Sequence, residues 1–170
     1  MTLHELNALV PEAAMRELLQ CCGSLGWARA MAAARPFATI QAMADAADNV
    51  WNALDRRDWL EAFGAHPKIG ETSGSGGSDA WAKQEQSGAR QASDAVRDRL
   101  RDANRAYEAR FGYIFIVCAT GKSAGEMVAN LEQRLANDPD EEIRVAGEEQ
   151  RKIMHLRMEK LMHEPRATPA

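Results

Sequence analysis

Apolar residues return every three or four positions along most of the chain, and β-branched residues are scarce outside one stretch, so helices are expected almost throughout. Seven or eight fit the spacing. The first covers residues 3–9, and Pro11 suits the opening turn of a second that carries Met15, Leu18 and Leu19 and stops at Gly23. Ser24 is placed to cap a third helix bearing Trp27 and Met31, which ends near Pro36. Ile40, Met43, Ala47, Val50 and Trp51 make the one-sided stripe of a fourth. Asp55 and Asp58 read as short turns around Trp59.

Over residues 65–78 the helical spacing fails among Pro67, Gly70, Gly74, Gly76 and Gly77, which predicts a loop. Loops of this length inside compact domains usually carry function or stay disordered. One long helix is expected next, from about residue 78 to 110, with Trp81, Glu85, Ala89, Ala92, Val96, Leu100, Ala103 and Tyr107 facing the core. The run 111–118 looks strand-like, yet no second strand exists to pair with it, so it reads as buried irregular chain. A helix after Gly121 carries Met127, Leu131 and Leu135. The last begins at Asp138 or Asp140 and ends near Met162. The expected architecture is all-α, one compact multi-helix domain over residues 1–165 with a frayed tail at 166–170.

With 170 residues, 45% of them hydrophobic, the chain can bury one core and is short for two. A net charge of -4 without like-charge runs gives no general attraction to nucleic acid or membrane surfaces, leaving small molecules and proteins as partners. Cys21, Cys22 and Cys118 make neither a disulfide framework nor a metal-ligand spacing, which suits a reducing cytosol. No apolar segment is long enough to span a bilayer, and neither end carries a recognisable address, so a cytoplasmic location is expected.

Three residues stand out chemically. Glu85 puts a carboxylate into an apolar stripe, where it requires a partner or a cavity, unless it lies in the first turns of its helix near solvent. Arg157 shares a face with Ile143, Ala146, Gln150 and Ile153, so its guanidinium is either an anion clamp or a structural ion-pair member. His66 precedes Pro67 on a loop, where an aimed imidazole can exchange protons at neutral pH, or simply be solvated. The remaining histidines form no metal-binding pair, and no metal site is expected. Thr120-Gly121-Lys122-Ser123 imitates the end of a phosphate-binding loop, but Ile116 stands where that motif needs its first glycine. A glycine break followed by a serine cap accounts for the same residues.

Three segments together, His66-Pro67-Lys68-Ile69-Gly70, Glu85-Gln86-Ser87-Gly88 and the stretch from Asn104 through Ala119, resemble the ureidoimidazoline decarboxylases of urate degradation. The similarity continues through Gly121-Lys122-Ser123, Arg134-Leu135-Ala136-Asn137-Asp138 and Glu149-Gln150-Arg151-Lys152-Ile153 to Arg157, covering most of the chain after about residue 60. The resemblance implies an all-helical, usually dimeric enzyme without a cofactor, forming (S)-allantoin from 2-oxo-4-hydroxy-4-carboxy-5-ureidoimidazoline. It implies catalytic roles for His66 and Glu85 and substrate binding by Arg157, Pro67, Phe115 and Ile116. One departure is Ala82, where many relatives carry a substrate-contacting serine; Ser87, Gln84 or water would have to replace that hydroxyl. A helical protein-binding module and a metal-dependent hydrolase are the alternatives, the first expecting an exposed apolar groove, the second loss of activity to chelators.

Overall fold

A computed structural model describes residues 1–70 and 77–163. Among these, nine α-helices and one 3-10 helix occur, with no strand. They are α1 (Leu3–Ala8), α2 (Pro11–Cys21), α3 (Leu25–Ala33), α4 (Ile40–Ala53), α5 (Arg56–Gly64), α6 (Gly77–Glu85), the 3-10 turn Ser87–Gln91, α7 (Asp94–Phe111), α8 (Ala124–Arg134) and α9 (Pro139–His163). The all-α expectation is met. The loop expected over 65–78 and the tail expected over 166–170 fall partly or wholly outside the described residues. No helix among the described residues is long and apolar enough to cross a membrane.

Two compact units share the chain: Met1–Ala62 with the residues from Arg151 onward, and Phe63–Gln150. In the first, the helices start where short polar side chains replace missing helical acceptors. Thr2 forms a capping box with Glu5, Ser24 caps α3 through Trp27 N–H, and Thr39 caps α4 through Ala42 N–H. Pro11 opens α2, as its lack of an N–H favours. Arg35 donates to the carbonyls of Leu6 and Leu9, satisfying groups that the end of α1 leaves open. The core is Leu6, Leu18, Trp27, Met31, Met43 and Trp51, joined by Met154 and Met158 from α9. Ile40, expected on the buried stripe of α4, is instead 50% exposed, because the first turn of a helix projects past the surface it covers.

Residues 55–59, read from sequence as turns, belong instead to the start of a helix. Asp55 accepts from the N–H groups of Arg57 and Asp58, which makes it the cap of α5 rather than a turn residue. Trp59 then stacks on Trp51 with ring centroids 5.3 Å apart.

An ion cluster ties α9 to α4 within this unit. Asp48 accepts from Arg151 at 3.0 Å and contacts His155 Nε2. Burial would raise the Asp48 carboxyl, but the hydrogen bonds and charges of His155 and Arg151 outweigh it and hold the group below its ordinary value of 3.8. A depressed folded pKa means that the stabilisation is complete above the unfolded pKa and disappears as pH falls through the folded one. Asp48→Asn should therefore lower stability at pH 7 by about 1 kcal/mol or less, since the cluster is one-third exposed and screened. Chemical denaturation of both proteins should show the gap closing below about pH 4; a gap that stays constant down to the acid transition would contradict the assignment.

In the second unit, the single helix expected over 78–110 is broken. α6 ends at Glu85, a 3-10 turn follows, and α7 starts afresh at Ser93, whose hydroxyl accepts from Val96 N–H. A serine beside an acidic first turn offered a helix start that apolar spacing alone overrides on paper. Gly112, in the left-handed region at φ 80°, closes α7. Residues 114–119 then run as irregular, mostly buried chain, as expected. Ser123 caps α8 in a capping box with Glu126. α7 packs on α8, and Tyr107, Phe111, Tyr113 and Phe115 interlock edge to face or tilted. At their centre Glu142, fully buried, pairs with Arg134 and accepts from Tyr107 OH and Asn137 Nδ2. Burial, and then the bond to Glu142, push the Tyr107 hydroxyl far above its ordinary pKa, so it keeps its proton and donates it to Glu142 while accepting from Arg134 Nη2 at 3.5 Å.

Candidate active site

The His66-Pro67-Lys68-Ile69-Gly70 segment leaves the end of α5 with His66 N–H bonded to Phe63 O. Almost every residue of the segment is then fastened. His66 Nε2 lies 2.7 Å from Gln150 Oε1. Lys68 Nζ pairs with Glu108 at 2.6 Å, and Asn104 Nδ2 donates to Ile69 O at 3.2 Å. Gly70 N–H donates to Gln86 Oε1 at 3.0 Å, while Gln86 Nε2 reaches Pro67 O at 3.5 Å. Gly70 itself takes φ 88°, a conformation that side chains resist, which lets the chain turn its N–H onto Gln86. A histidine on a loop is ordinarily free to wander; here Gln150 holds the ring, and Gln86, Asn104 and Glu108 hold the four residues that follow it.

Glu85 occupies the last turn of α6 and is 9% exposed. The first-turn, solvent-facing reading of this carboxylate is thereby excluded. Its charge is among those that raise the Cys118 thiol, after burial and Glu149, so it stands within electrostatic reach of the irregular 114–119 segment. Cys118 N–H donates to Glu149 Oε2 at 2.7 Å. Adjacent residues of α9, Glu149 and Gln150, thus hold the irregular segment and His66 respectively. Phe115 and Ile116 are buried in that segment. Arg134 Nη1 donates to Ile116 O at 2.7 Å, and its guanidinium lies 4.6 Å from the Phe115 ring centroid. His66, Pro67, Glu85, Phe115 and Ile116 all belong to the Phe63–Gln150 unit.

Arg157 belongs to the other unit. It is 5% exposed, on the face shared with Ile153, and donates to Gln20 O at 3.4 Å. Its charge offsets a little of the burial that pushes the Cys22 thiol up to about 12 and Cys21 higher still. Those two thiols are therefore packing residues rather than nucleophiles.

Ala82 is buried, and the proposed substitutes for its missing hydroxyl, Gln84 and Ser87, are both exposed, unlike Glu85 and Gln86 between them. Gln86, Asn104, Glu108 and Gln150 were not singled out from sequence as site residues. Gln150 had a signal, being a polar residue on an apolar helix face, and Gln86 stood beside Glu85 in the same motif. A cavity of about 450 Å³ borders the loop, lined by Lys68, Gly70, Gln86, Leu100 and Asn104. Neither His66 nor Glu85 is on its wall, so it neighbours the polar cluster and is not its interior.

Gly88 explains another motif position. A Cβ there would come within 2.1 Å of Lys122 O, because the 3-10 turn packs directly on the chain entering α8. Gly88→Ala should push that turn away and cost about 1–3 kcal/mol. It should also lower turnover, since Glu85 and Gln86 precede the displaced segment. Thermal unfolding and initial rates measured together check this; unchanged stability would mean that the Lys122 turn yields freely.

Among the described residues no group of three or more His, Cys, Asp and Glu side chains could hold a metal ion. Among the described residues, the large hydrophobic side chains left exposed are Val10, Leu25 and Ile40. What the fold and site define is a small all-α protein with a loop histidine, His66, held at its ring by the buried Gln150. Residues 7–159 match the family model for OHCU decarboxylase, and the chain belongs to that family. It is 39% identical over 145 residues to the uric acid degradation bifunctional protein TTL of Arabidopsis thaliana, covering 83% of this chain and 45% of that protein. The chain therefore spans under half of the Arabidopsis protein. The 2-oxo-4-hydroxy-4-carboxy-5-ureidoimidazoline decarboxylase of Mus musculus is 31% identical over 131 residues, 75% of this chain and 74% of the mouse protein. A crystal structure of an OHCU decarboxylase determined in the presence of (S)-allantoin superposes with a TM-score of 0.78 at 39% identity, covering 87% of this chain and 98% of that one.

Proposed function

We propose that this chain decarboxylates 2-oxo-4-hydroxy-4-carboxy-5-ureidoimidazoline to (S)-allantoin in uric acid degradation, without a cofactor. The observation that carries the reading is the clamped His66 in a chain of this family, in the same unit as the buried carboxylate of Glu85. The substrate supplies its own electron sink. Its carboxylate sits on a carbon next to a ring C=N bond, so the pair released by the breaking C–C bond enters the ring and the nitrogen takes a proton. The resulting hydroxyl-bearing double bond then loses its O–H proton to become a carbonyl, while a proton added to one face of the ureido-bearing carbon sets the configuration. The protein has to hold the carboxylate across the ring plane and move protons at fixed positions.

In this reading His66 exchanges the hydroxyl proton and Glu85 accepts from ring or ureido N–H groups. Arg157 anchors an anionic or ureido oxygen with its planar fork, and Pro67, Phe115 and Ile116 line the ring. The Ile116 carbonyl is already engaged by Arg134, so its contribution falls to the amide N–H. Support for Arg157 is its motif position together with its burial. The test is circular dichroism during turnover of freshly generated substrate with a chelator present. Rapid formation of (S)-allantoin is expected; racemic product at the uncatalysed rate would defeat the reading.

We also propose a cytoplasmic homodimer. Three free, buried cysteines support a reducing compartment, and family resemblance supports the dimer. Sedimentation equilibrium giving a monomer at micromolar concentration would remove the second part.

A further inference from the structure

Gln150 is fully buried, and its side chain spends its one carbonyl oxygen on His66 Nε2 at 2.7 Å. Its own Nε2 has no hydrogen-bond partner. A buried amide left half-satisfied is a cost that packing alone does not explain, since leucine would fill the same space without it. We propose that Gln150 is a positioning residue that holds His66 in the Nε2–H tautomer and makes Nδ1 the nitrogen that exchanges the substrate's proton. The inference rests on the decarboxylase reading and deepens it.

The argument comes from what the bond must survive. A histidine that exchanges protons alternates between neutral and charged rings. Oε1 only accepts, so it bonds a protonated Nε2, and that nitrogen stays protonated in both states when the exchange happens at Nδ1. With the amide turned around, its NH2 would donate to a bare Nε2, and each protonation of that nitrogen would set donor against donor at a buried amide. Exchange at Nε2 would break the bond once per turnover. Only the arrangement seen, Oε1 on Nε2, keeps the buried amide still throughout the cycle. It also fixes the ring plane, because Pro67 and the neighbouring anchors hold the backbone while Gln150 holds the far edge.

The test is nitrogen-15 NMR of the histidine rings in the full-length wild type, with the His66 signals identified by their loss in His66→Ala. It runs beside pH–rate profiles of wild type, Gln150→Leu and Gln150→Glu. Wild-type His66 should be Nε2–H when neutral. Gln150→Leu should lose that preference and about 10²-fold of kcat, with KM moving much less. Gln150→Glu keeps an acceptor and so keeps the tautomer. Its negative charge favours the imidazolium, so the acid limb of the kcat profile should move up by about one pH unit or more. A structural role alone would move neither the tautomer nor that limb. If Gln150→Leu fails to fold, the wild-type spectrum and the Glu variant still decide. An Nδ1–H ring in an active wild type overturns this proposal alone, as does a Leu variant with the tautomer and profile unchanged. A wild type that forms no (S)-allantoin overturns the decarboxylase reading and this proposal with it.

Discussion

His66→Ala is expected to lower kcat for ureidoimidazoline decarboxylation by about 10²- to 10⁴-fold, the range that a positioned acid–base group contributes. KM should change little. The clamp on residues 67–70 does not pass through the imidazole: Lys68, Ile69 and Gly70 keep Glu108, Asn104 and Gln86 as anchors. The loop therefore holds its path when the ring is removed, and the loss is one of chemistry. Arg157→Ala should behave the opposite way, raising KM more than it lowers kcat, since an anion anchor binds ground state and transition state alike. Initial rates from circular dichroism, corrected for spontaneous decay, separate the two patterns. Equal and small losses from both variants would show that neither residue has the role proposed.

The helical character of the chain was legible because most helix starts advertise themselves. Ser24, Pro11 and Ser123 are local signals, and each stands where a helix begins. The break at residues 86–93 was hidden because its cause is remote. The apolar repeat runs unbroken from Trp81 to Tyr107, and only the contact of Gly88 with the Lys122 carbonyl shows why the chain turns aside there. α5 was missed for a different reason: Asp55 suits a turn and a helix cap equally, and the choice is made by the stacking of Trp59 on Trp51. For the site, Glu85 and Arg157 stand out in the sequence as charges on apolar helix faces, and His66 as a loop imidazole beside a proline. The partners of the His66 segment were harder to see: Gln150 stood out only as a polar residue on an apolar face, and Asn104 and Glu108 are unremarkable until the fold brings them to that loop. The motif stretches also take on a physical sense. Asn104 and Glu108, far from His66 in sequence, fasten the histidine segment through Ile69 O and Lys68.

Glu142→Ala should be the most damaging single change to the fold. Glu142 is fully buried and its carboxylate receives Arg134, Tyr107 OH and Asn137. Removing it leaves the Arg134 guanidinium, itself 7% exposed at the side chain, without its counter-charge and the Tyr107 hydroxyl without its acceptor. Breaking one side of a buried pair costs about 3–5 kcal/mol, against a total of about 5–15 kcal/mol for a whole domain. For a chain of this size that corresponds to a fall in Tm on the order of 10 °C. Arg134 also carries the Ile116 carbonyl, so activity should fall further than the unfolded fraction explains. The pair Arg134→Met with Glu142→Leu distinguishes the causes, because replacing both charges removes the stranded ion and should recover much of the stability while Ile116 stays unanchored. Stability restored with kcat still low would assign the network a positioning role. If Glu142→Ala alone melts within about 2 °C of wild type, the pair is a passenger and the aromatic cluster of Tyr107, Phe111, Tyr113 and Phe115 holds this unit without it.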